Sequence, residues 1–408
     1  MKVLWFVGSS LNGTFYRTFW ISSLLNQLSK QDNLELGICF MTSEKNAKAY
    51  RENDISYFPV SSYKTFFHRF SNRLLHTIKG ANNFNDYINV VKKFNPDLIN
   101  IFGLETEYAE IIPHVKCKSI VHIQGILSPL TEFWHIPNKT NRDVFWASNP
   151  INLIFAVGIY HSYFRILKSA QRERKMLEQV ANISGRTDWD KSIMKVLAPE
   201  AKYFHIDEVI RHDFFETAWE YKHCETITII TIIGDSLYKG YDIILKTSAL
   251  LCKHGLKFNW KIFGINNQSE SVKIIEKMVD IKHSVDIQLL GHADSKTIIE
   301  QMKKAHLYIH PSKIENSSNS VCEAMLLGMP VIAADTGGMS TMIENKVNGL
   351  LFSNIDFYTL ANIILQSIKQ PAMLKQLGKN ARETAFKRHD KEKIVNDLIT
   401  AYKKIISE

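Results

Sequence analysis

A chain of 408 residues is long for a single hydrophobic core and predicts two domains of roughly 150 to 200 residues each. Its composition, 45% hydrophobic and 22% charged, is that of an ordinary globular protein, and no apolar stretch reaches the roughly 18 residues of a membrane-spanning helix. The net charge of +9 sits mainly in residues 1–200, where 24 Lys plus Arg face 17 acids, against 26 and 24 in the remainder. No nucleic-acid reading motif accompanies that charge.

The elements follow in chain order. Met1–Gly8 has too short an apolar run for a signal peptide and reads as a first strand, Val3–Val7. Leu34–Met41, Ile55–Val60, Leu98–Phe102, Ser119–Gln124 and Ala181–Ser184 read as further strands, with helices such as Arg17–Leu28 between several of them. This βαβ alternation predicts a parallel doubly wound sheet. Residues 61–79 and 166–176 are basic and amphipathic, suited either to an anionic membrane surface or to packing a core with a solvated basic face. Residues 212–225 lack periodicity and read as a linker. Beyond them Thr226–Ile233, Phe258–Phe263, Val285–Leu290, Leu307–His310 and Val331–Ala334 alternate with helices over 239–254, 271–281, 294–304 and 320–327. The domains expected are 1–211, a second Rossmann-like unit over 226–386, and a closing helical segment over 387–408. Five dispersed cysteines without Cys-x-x-Cys read as reduced, buried thiols of a cytosolic protein.

Glu315 and Glu323 are the main functional clue. Glu315 precedes a run of loop formers, Asn316–Asn319, and Glu323 lies inside the helix that follows, which Gly328 stops. Such a loop opens onto free N–H groups and the positive end of a helix dipole, a ready site for phosphate. After Thr226–Ile233, the turn Gly234-Asp235-Ser236-Leu237-Tyr238-Lys239-Gly240 enters another helix. In the first half, Gly13-Thr14 follows the first strand and His122 ends another. Arg186 follows Ala181–Ser184 and serves either an acceptor or phosphate, or an ion pair with Asp188 or Asp190.

His310-Pro311-Ser312, Glu315-x7-Glu323, Glu323-Ala324-Met325, Gly328, Pro330–Ala333, Gly337-Gly338 and Asn348–Leu351 together resemble the donor-binding segment of retaining glycosyltransferases of family 4. The resemblance implies a GT-B fold: two Rossmann-like domains facing across a cleft, with a C-terminal helix crossing back to the first. It implies transfer of a sugar from a nucleoside diphosphate sugar, without metal or cofactor, to a glycan or lipid-linked glycan in the cytoplasm; the basic segments of the first domain would suit contact with the inner membrane face. By the same resemblance Glu315 holds sugar hydroxyls, Glu323 the ribose, the Asn319, Ser320 and Val321 amides the diphosphate, Lys239 its charge, and His122 the sugar. Gly13 and Thr14 match the family's Gly-Gly loop only in part. Where the family has an arginine after the strand-end glycine, this chain has Asp235 and Ser236. A nucleotide-sugar epimerase and an inactive membrane-surface adaptor are the alternatives to weigh.

Overall fold

The computed structural model describes residues 1–8, 19–62, 73–75, 83–284 and 286–408. The chain divides into two compact units. The first comprises 1–131, 164–210 and 389–408, and the second 132–163 and 211–388.

The first unit holds an eight-stranded sheet in the order β3-β4-β2-β1-β5-β6-β7-β8. In chain order these are β1 (Lys2–Val7), β2 (Glu35–Thr42), β3 (Tyr50–Glu52), β4 (Ile55–Ser61), β5 (Leu98–Phe102), β6 (Lys118–His122), β7 (Asn182–Gly185) and β8 (Lys202–His205). All neighbours pair in parallel except β3 with β4. β1 shows why both faces are covered: Val3, Trp5 and Val7 enter one core and Leu4 and Phe6 the other, as a period of two requires. Helix Lys391–Ser407 closes the first of these cores with Ile394, Leu398, Tyr402 and Ile405. The Tyr402 hydroxyl accepts from Trp5 Nε1 at 3.1 Å and Asn100 Nδ2 at 2.6 Å, so the last helix is pinned to two adjacent strands.

The second unit holds six parallel strands in the order β11-β10-β9-β12-β13-β14. They are β9 (Ile227–Ile232), β10 (Phe258–Phe263), β11 (Ile287–Gly291), β12 (Leu307–His310), β13 (Val331–Asp335) and β14 (Leu350–Ser353). This is the strand order of a doubly wound dinucleotide-type sheet, and its direction of winding reverses between β9 and β12.

Three expectations are revised. Residues 132–163, read within a domain 1–211, pack with the second unit. Trp134 lies against Tyr238 with centroids 5.7 Å apart, and the Glu270 carboxylate accepts from Asn152 Nδ2 at 3.0 Å and Ile159 N at 2.9 Å. The aperiodic stretch 212–225 contains the short helix Asp213–Glu216 and belongs to the second unit, held by Arg382, whose guanidinium donates to the Thr217 and Phe215 carbonyls. Of the cysteines, Cys39 and Cys322 are buried and Cys117 half-buried, but Cys224 and Cys252 are exposed.

The basic helix around 166–176 is part of Gly158–Leu177, and three of its cations are engaged by protein: Lys168 donates to Leu75 O, Arg172 to Glu105 O and Arg174 to Ser128 Oγ. Most of the other basic stretch, 61–79, lies outside the described residues. Among the described residues no helix is long and apolar enough to cross a membrane.

Candidate functional site

In a doubly wound sheet, loops leaving the carboxyl ends of the two strands at the winding reversal diverge and leave a crevice between them. In the second unit those are the loops after β9 and β12, which carry Lys239 and Glu315. The geometry closes there: Lys239 Nζ lies 2.6 Å from Glu315 Oε2, and His310 Nε2, from the end of β12, lies 3.6 Å from the same oxygen. Burial pushes the Glu315 carboxyl up, but the Lys239 ammonium, with His310, overrides this and holds it down at about 2. Burial works against the Lys239 ammonium too, and Glu315 more than offsets it, so the lysine is raised above its ordinary value. Both groups are therefore charged at neutral pH.

Two glycines permit this approach. Gly240 has φ +83°, and a Cβ there would meet the Pro311 carbonyl oxygen at 2.1 Å; Gly337 has φ +55°, and a Cβ there would meet the Glu315 carbonyl oxygen at 1.8 Å. Gly338 N donates to that same Glu315 carbonyl at 3.0 Å. The Lys-Gly and Gly-Gly pairs of the sequence are thus the places where neighbouring loops touch backbone to backbone.

Lys313, which sequence reasoning passed over, fastens these loops together. It is 1% exposed; its Nζ donates to Asp242 Oδ1 at 2.8 Å and Leu237 O at 3.0 Å, and its N–H to Tyr238 O at 2.8 Å. Its carbonyl accepts from Thr336 Oγ1 at 2.7 Å and Asn354 Nδ2 at 2.8 Å. Burial lowers its ammonium, with the Asp242 carboxylate acting in the opposite sense. One residue therefore ties the loops after β9, β12, β13 and β14.

The helix after the Glu315 loop runs Asn319–Leu327 with Ser318 at its N-cap. Val321 N already donates to Ser318 O at 3.0 Å. The Asn319 and Ser320 amides open this helix, so of the trio expected at the diphosphate Val321 is the one already engaged within the turn. Buried Asn319 Oδ1 lacks a partner among the described residues.

Glu323, a turn into this helix, is 4% exposed. Arg211 reaches its Oε1 with Nε at 2.8 Å and Nη2 at 2.6 Å. Both donors use the same oxygen, and among the described residues none is placed on Oε2. Burial raises the Glu323 carboxyl, and Arg211 opposes the rise. Arg211 was not legible in sequence, since it borders a stretch without periodicity. Asp235, at the place of the family's arginine, caps a helix instead: its carboxylate accepts from Ser271 N at 2.8 Å and Glu270 N at 3.2 Å.

In the first unit the winding reverses between β1 and β5. Gly13 and Thr14, which follow β1 in sequence, lie outside the described residues. The loop after β5 carries Glu105, whose Oε1 accepts from Gly125 N at 3.2 Å. Solvent reaches this residue, yet the surrounding protein pushes its carboxyl up to about 7, with the nearby Glu173 carboxylate adding to the rise and Arg186 opposing it. No motif marks Glu105 in sequence; the strand order does.

His122 is fully buried at the end of β6, between Trp20 and Phe102 at 5.0 and 5.5 Å, with Nδ1 2.8 Å from Ser184 Oγ. Burial, reinforced by Arg186, lowers its imidazole to about 3, so it is neutral at physiological pH. Nε2 has no partner among the described residues. Arg186 is 3% exposed, donates to Gln124 O at 2.9 Å, stands 5.1 Å over the Trp20 ring and lies 3.9 Å from Glu208. The Arg186 backbone N–H donates to Asp190 Oδ2 at 2.8 Å.

A parallel sheet with a lysine, a carboxylate and a helix N-terminus at its winding reversal defines a nucleotide-binding α/β unit. Residues 216–384 match the model of the family described as glycosyl transferases group 1, so the second unit carries a domain of that family. Among curated relatives, the poly(ribitol-phosphate) alpha-N-acetylglucosaminyltransferase of Staphylococcus aureus is 26% identical over 185 residues, 44% of this chain and 36% of its own. The chain spans less than half the length of the curated relatives it first matches, 44% and 45% in two further cases. Among solved structures, sucrose-phosphate synthase from Thermosynechococcus elongatus superposes with a TM-score of 0.75 at 12% identity, over 100% of this chain and 99% of that one. The Anabaena protein HepE, solved in complex with UDP-glucose, gives 0.65 at 16% identity, over 99% and 100%. The fold is therefore GT-B, with two parallel-sheet α/β domains.

Proposed function

We propose that this protein is a retaining, metal-independent glycosyltransferase that moves a sugar from a nucleoside diphosphate sugar to a hydroxyl of a glycan or lipid-linked glycan, in cell-surface polysaccharide synthesis on the cytoplasmic side. The observation that carries this is the Lys239–Glu315 pair at the winding reversal of the second sheet, beside the helix opening at Asn319.

The chemistry follows from the groups present. Breaking the bond from sugar to diphosphate builds negative charge on the leaving phosphate. The Lys239 ammonium has three N–H donors; one serves Glu315, and the others are directed to that phosphate together with the Asn319 and Ser320 amides. Glu315, held ionised, accepts from sugar hydroxyls and fixes the ring. Glu323 Oε2 accepts from the ribose while Arg211 keeps its other oxygen occupied. The leaving phosphate assists in removing the acceptor proton, which fits a site whose groups position and neutralise. In the first unit His122 keeps its assignment to the sugar, and Glu105 and Arg186 are assigned to the acceptor side. The UDP-glucose complex of HepE supports the donor class, and the Staphylococcus aureus relative, named for glycosyl transfer to poly(ribitol-phosphate), supports a polymeric hydroxyl acceptor.

Calorimetry against UDP, GDP and their sugars tests the reading, with Glu323→Ala expected to weaken binding and Lys239→Ala to lower turnover. Absence of binding to every nucleotide, or unchanged donor kinetics in both variants, overturns it. Donor consumption with no acceptor present would mark an epimerase instead.

A further inference from the structure

The segment 145–155 of the second unit is folded with its apolar side outward. Helix Pro150–Ile154 buries no residue. Its polar Asn152 turns inward to Glu270 at 3.0 Å, while Ile151 and Ile154 stand 61% and 68% exposed and the following Phe155 48%. The preceding helix, Asn141–Ala147, buries only Val144 and leaves Phe145 and Trp146 exposed by 37% and 67%. A single exposed apolar residue needs no explanation. Five within eleven residues, with the polar side chain inward, invert the pattern water selects.

Three cations rim this face. Arg142 precedes Phe145 and Trp146 by one helical turn and shares their side of the helix. Helix Glu270–Val279 packs against 141–147, and its Lys277 donates to Trp146 O at 2.7 Å, with exposed Lys273 a turn earlier. Carboxylates border the face as well and keep their charge: Asp143 accepts from Thr140 N and Oγ1 at 2.7 and 2.8 Å, Glu270 from Asn152 Nδ2 and Ile159 N, and Glu276 and, at the C-cap, Asp280 lie on the helix of Lys277.

We propose that this face docks on an anionic lipid bilayer. Phe145, Trp146, Ile151, Ile154 and Phe155 enter the boundary between headgroups and acyl chains, and Arg142, Lys273 and Lys277 meet lipid phosphates. The Trp146 indole suits that boundary, where its N–H can stay wet while the rest of the ring is dry. A second copy of the chain suits it less, because a two-fold contact sets the same patch against itself and so brings each cationic rim against its twin. The inference is independent of the proposed reaction and stands whichever nucleotide the second unit takes.

The test is co-sedimentation of the full chain with vesicles of phosphatidylcholine, alone and mixed with phosphatidylglycerol. The chain is expected to partition onto the mixed vesicles, less so as salt rises. Trp146→Ser/Ile154→Ser/Phe155→Ser is expected to lower partitioning about a hundredfold or more, since losing the burial of each large apolar side chain costs roughly a factor of ten. Arg142→Glu/Lys277→Glu is expected to weaken it and remove the salt dependence. These side chains lie at the surface, so unchanged circular dichroism and thermal transitions will show that the variants fold. Equal partitioning of wild type and triple variant, or no vesicle binding, overturns the proposal. So does a wild-type dimer that the triple variant converts to monomer without any lipid present.

Discussion

Replacing Lys313 by Met should loosen the donor site from beneath. Lys313 and Asp242 are 1% exposed each, with Nζ 2.8 Å from Oδ1. Removing one member of such a pair leaves an uncompensated buried charge and costs about 3–5 kcal/mol. In a unit of this size 1 kcal/mol moves a transition by roughly 2–4 °C, so the second unit should melt roughly 6–20 °C lower. Lys313→Met/Asp242→Leu removes both charges and should recover most of that loss, because an apolar pair of similar volume replaces a buried ion pair at little net cost. Calorimetric scanning measures both effects. The double variant still lacks the bond from Nζ to Leu237 O, which braces the loop two residues before Lys239. Its affinity for the nucleotide that the wild type binds should therefore stay about tenfold weak after stability returns, as for a lost bond to a charged donor. A Lys313→Met transition within about 2 °C of wild type would refute the burial argument. Full recovery of nucleotide affinity in the double variant would refute the bracing role.

Glu315 gives a pH prediction. Its folded value of about 2 lies below the ordinary 4.5, so the stability it confers, on the order of 3 kcal/mol, is fully present above pH 4.5 and lost as pH falls toward 2. Lys239→Met should remove that acid dependence from unfolding curves; its persistence would show that another group causes it. Asp235→Ala should cost about 1 kcal/mol by uncapping the helix at Glu270, while Asp235→Asn, which keeps an acceptor, should cost less. A scan in which both variants melt together would deny the capping role. Glu105 should titrate near pH 7 by NMR. Glu105→Gln should remove an acid limb at that pH from the transfer rate while leaving nucleotide affinity unchanged, and a limb retained in the variant would exclude Glu105 from the acceptor side.

Much of the fold was legible because buried parallel strands are written as apolar runs, and β1, β5, β12 and β13 fall within a residue of the runs read for them. The packing of 132–163 on the second unit was not legible, since it depends on Trp134 meeting Tyr238 and Asn152 meeting Glu270, residues more than 100 positions apart. Glu315 and Lys239 could be found because each follows an apolar run, Glu315 ahead of the polar turn Asn316–Asn319 and Lys239 beside Gly240. Lys313 could not, because a lysine in a polar loop reads as solvated until Asp242, 71 positions away, is placed against it. Glu105 needed the strand order itself: only when β5 is known to lie beside β1 does its loop become a winding reversal.

The same logic addresses the missing arginine. Asp235 accepts two backbone N–H bonds at the opening of helix Glu270–Val279, so an arginine there would leave that helix uncapped. It would also remove a carboxylate beside Glu270, which holds the inserted segment through Asn152 and Ile159. The position that supplies a diphosphate cation in the resembling family is committed here to anchoring the segment 132–163. On the proposed reading, positive charge for a diphosphate would come from Lys239, whose ammonium Glu315 already shares, and from the amides at the opening of helix Asn319–Leu327. A lysine shared in that way between a carboxylate and a phosphate would be sensitive to its exact reach, and the buried Lys313, which donates to Leu237 O, fixes the loop that carries it.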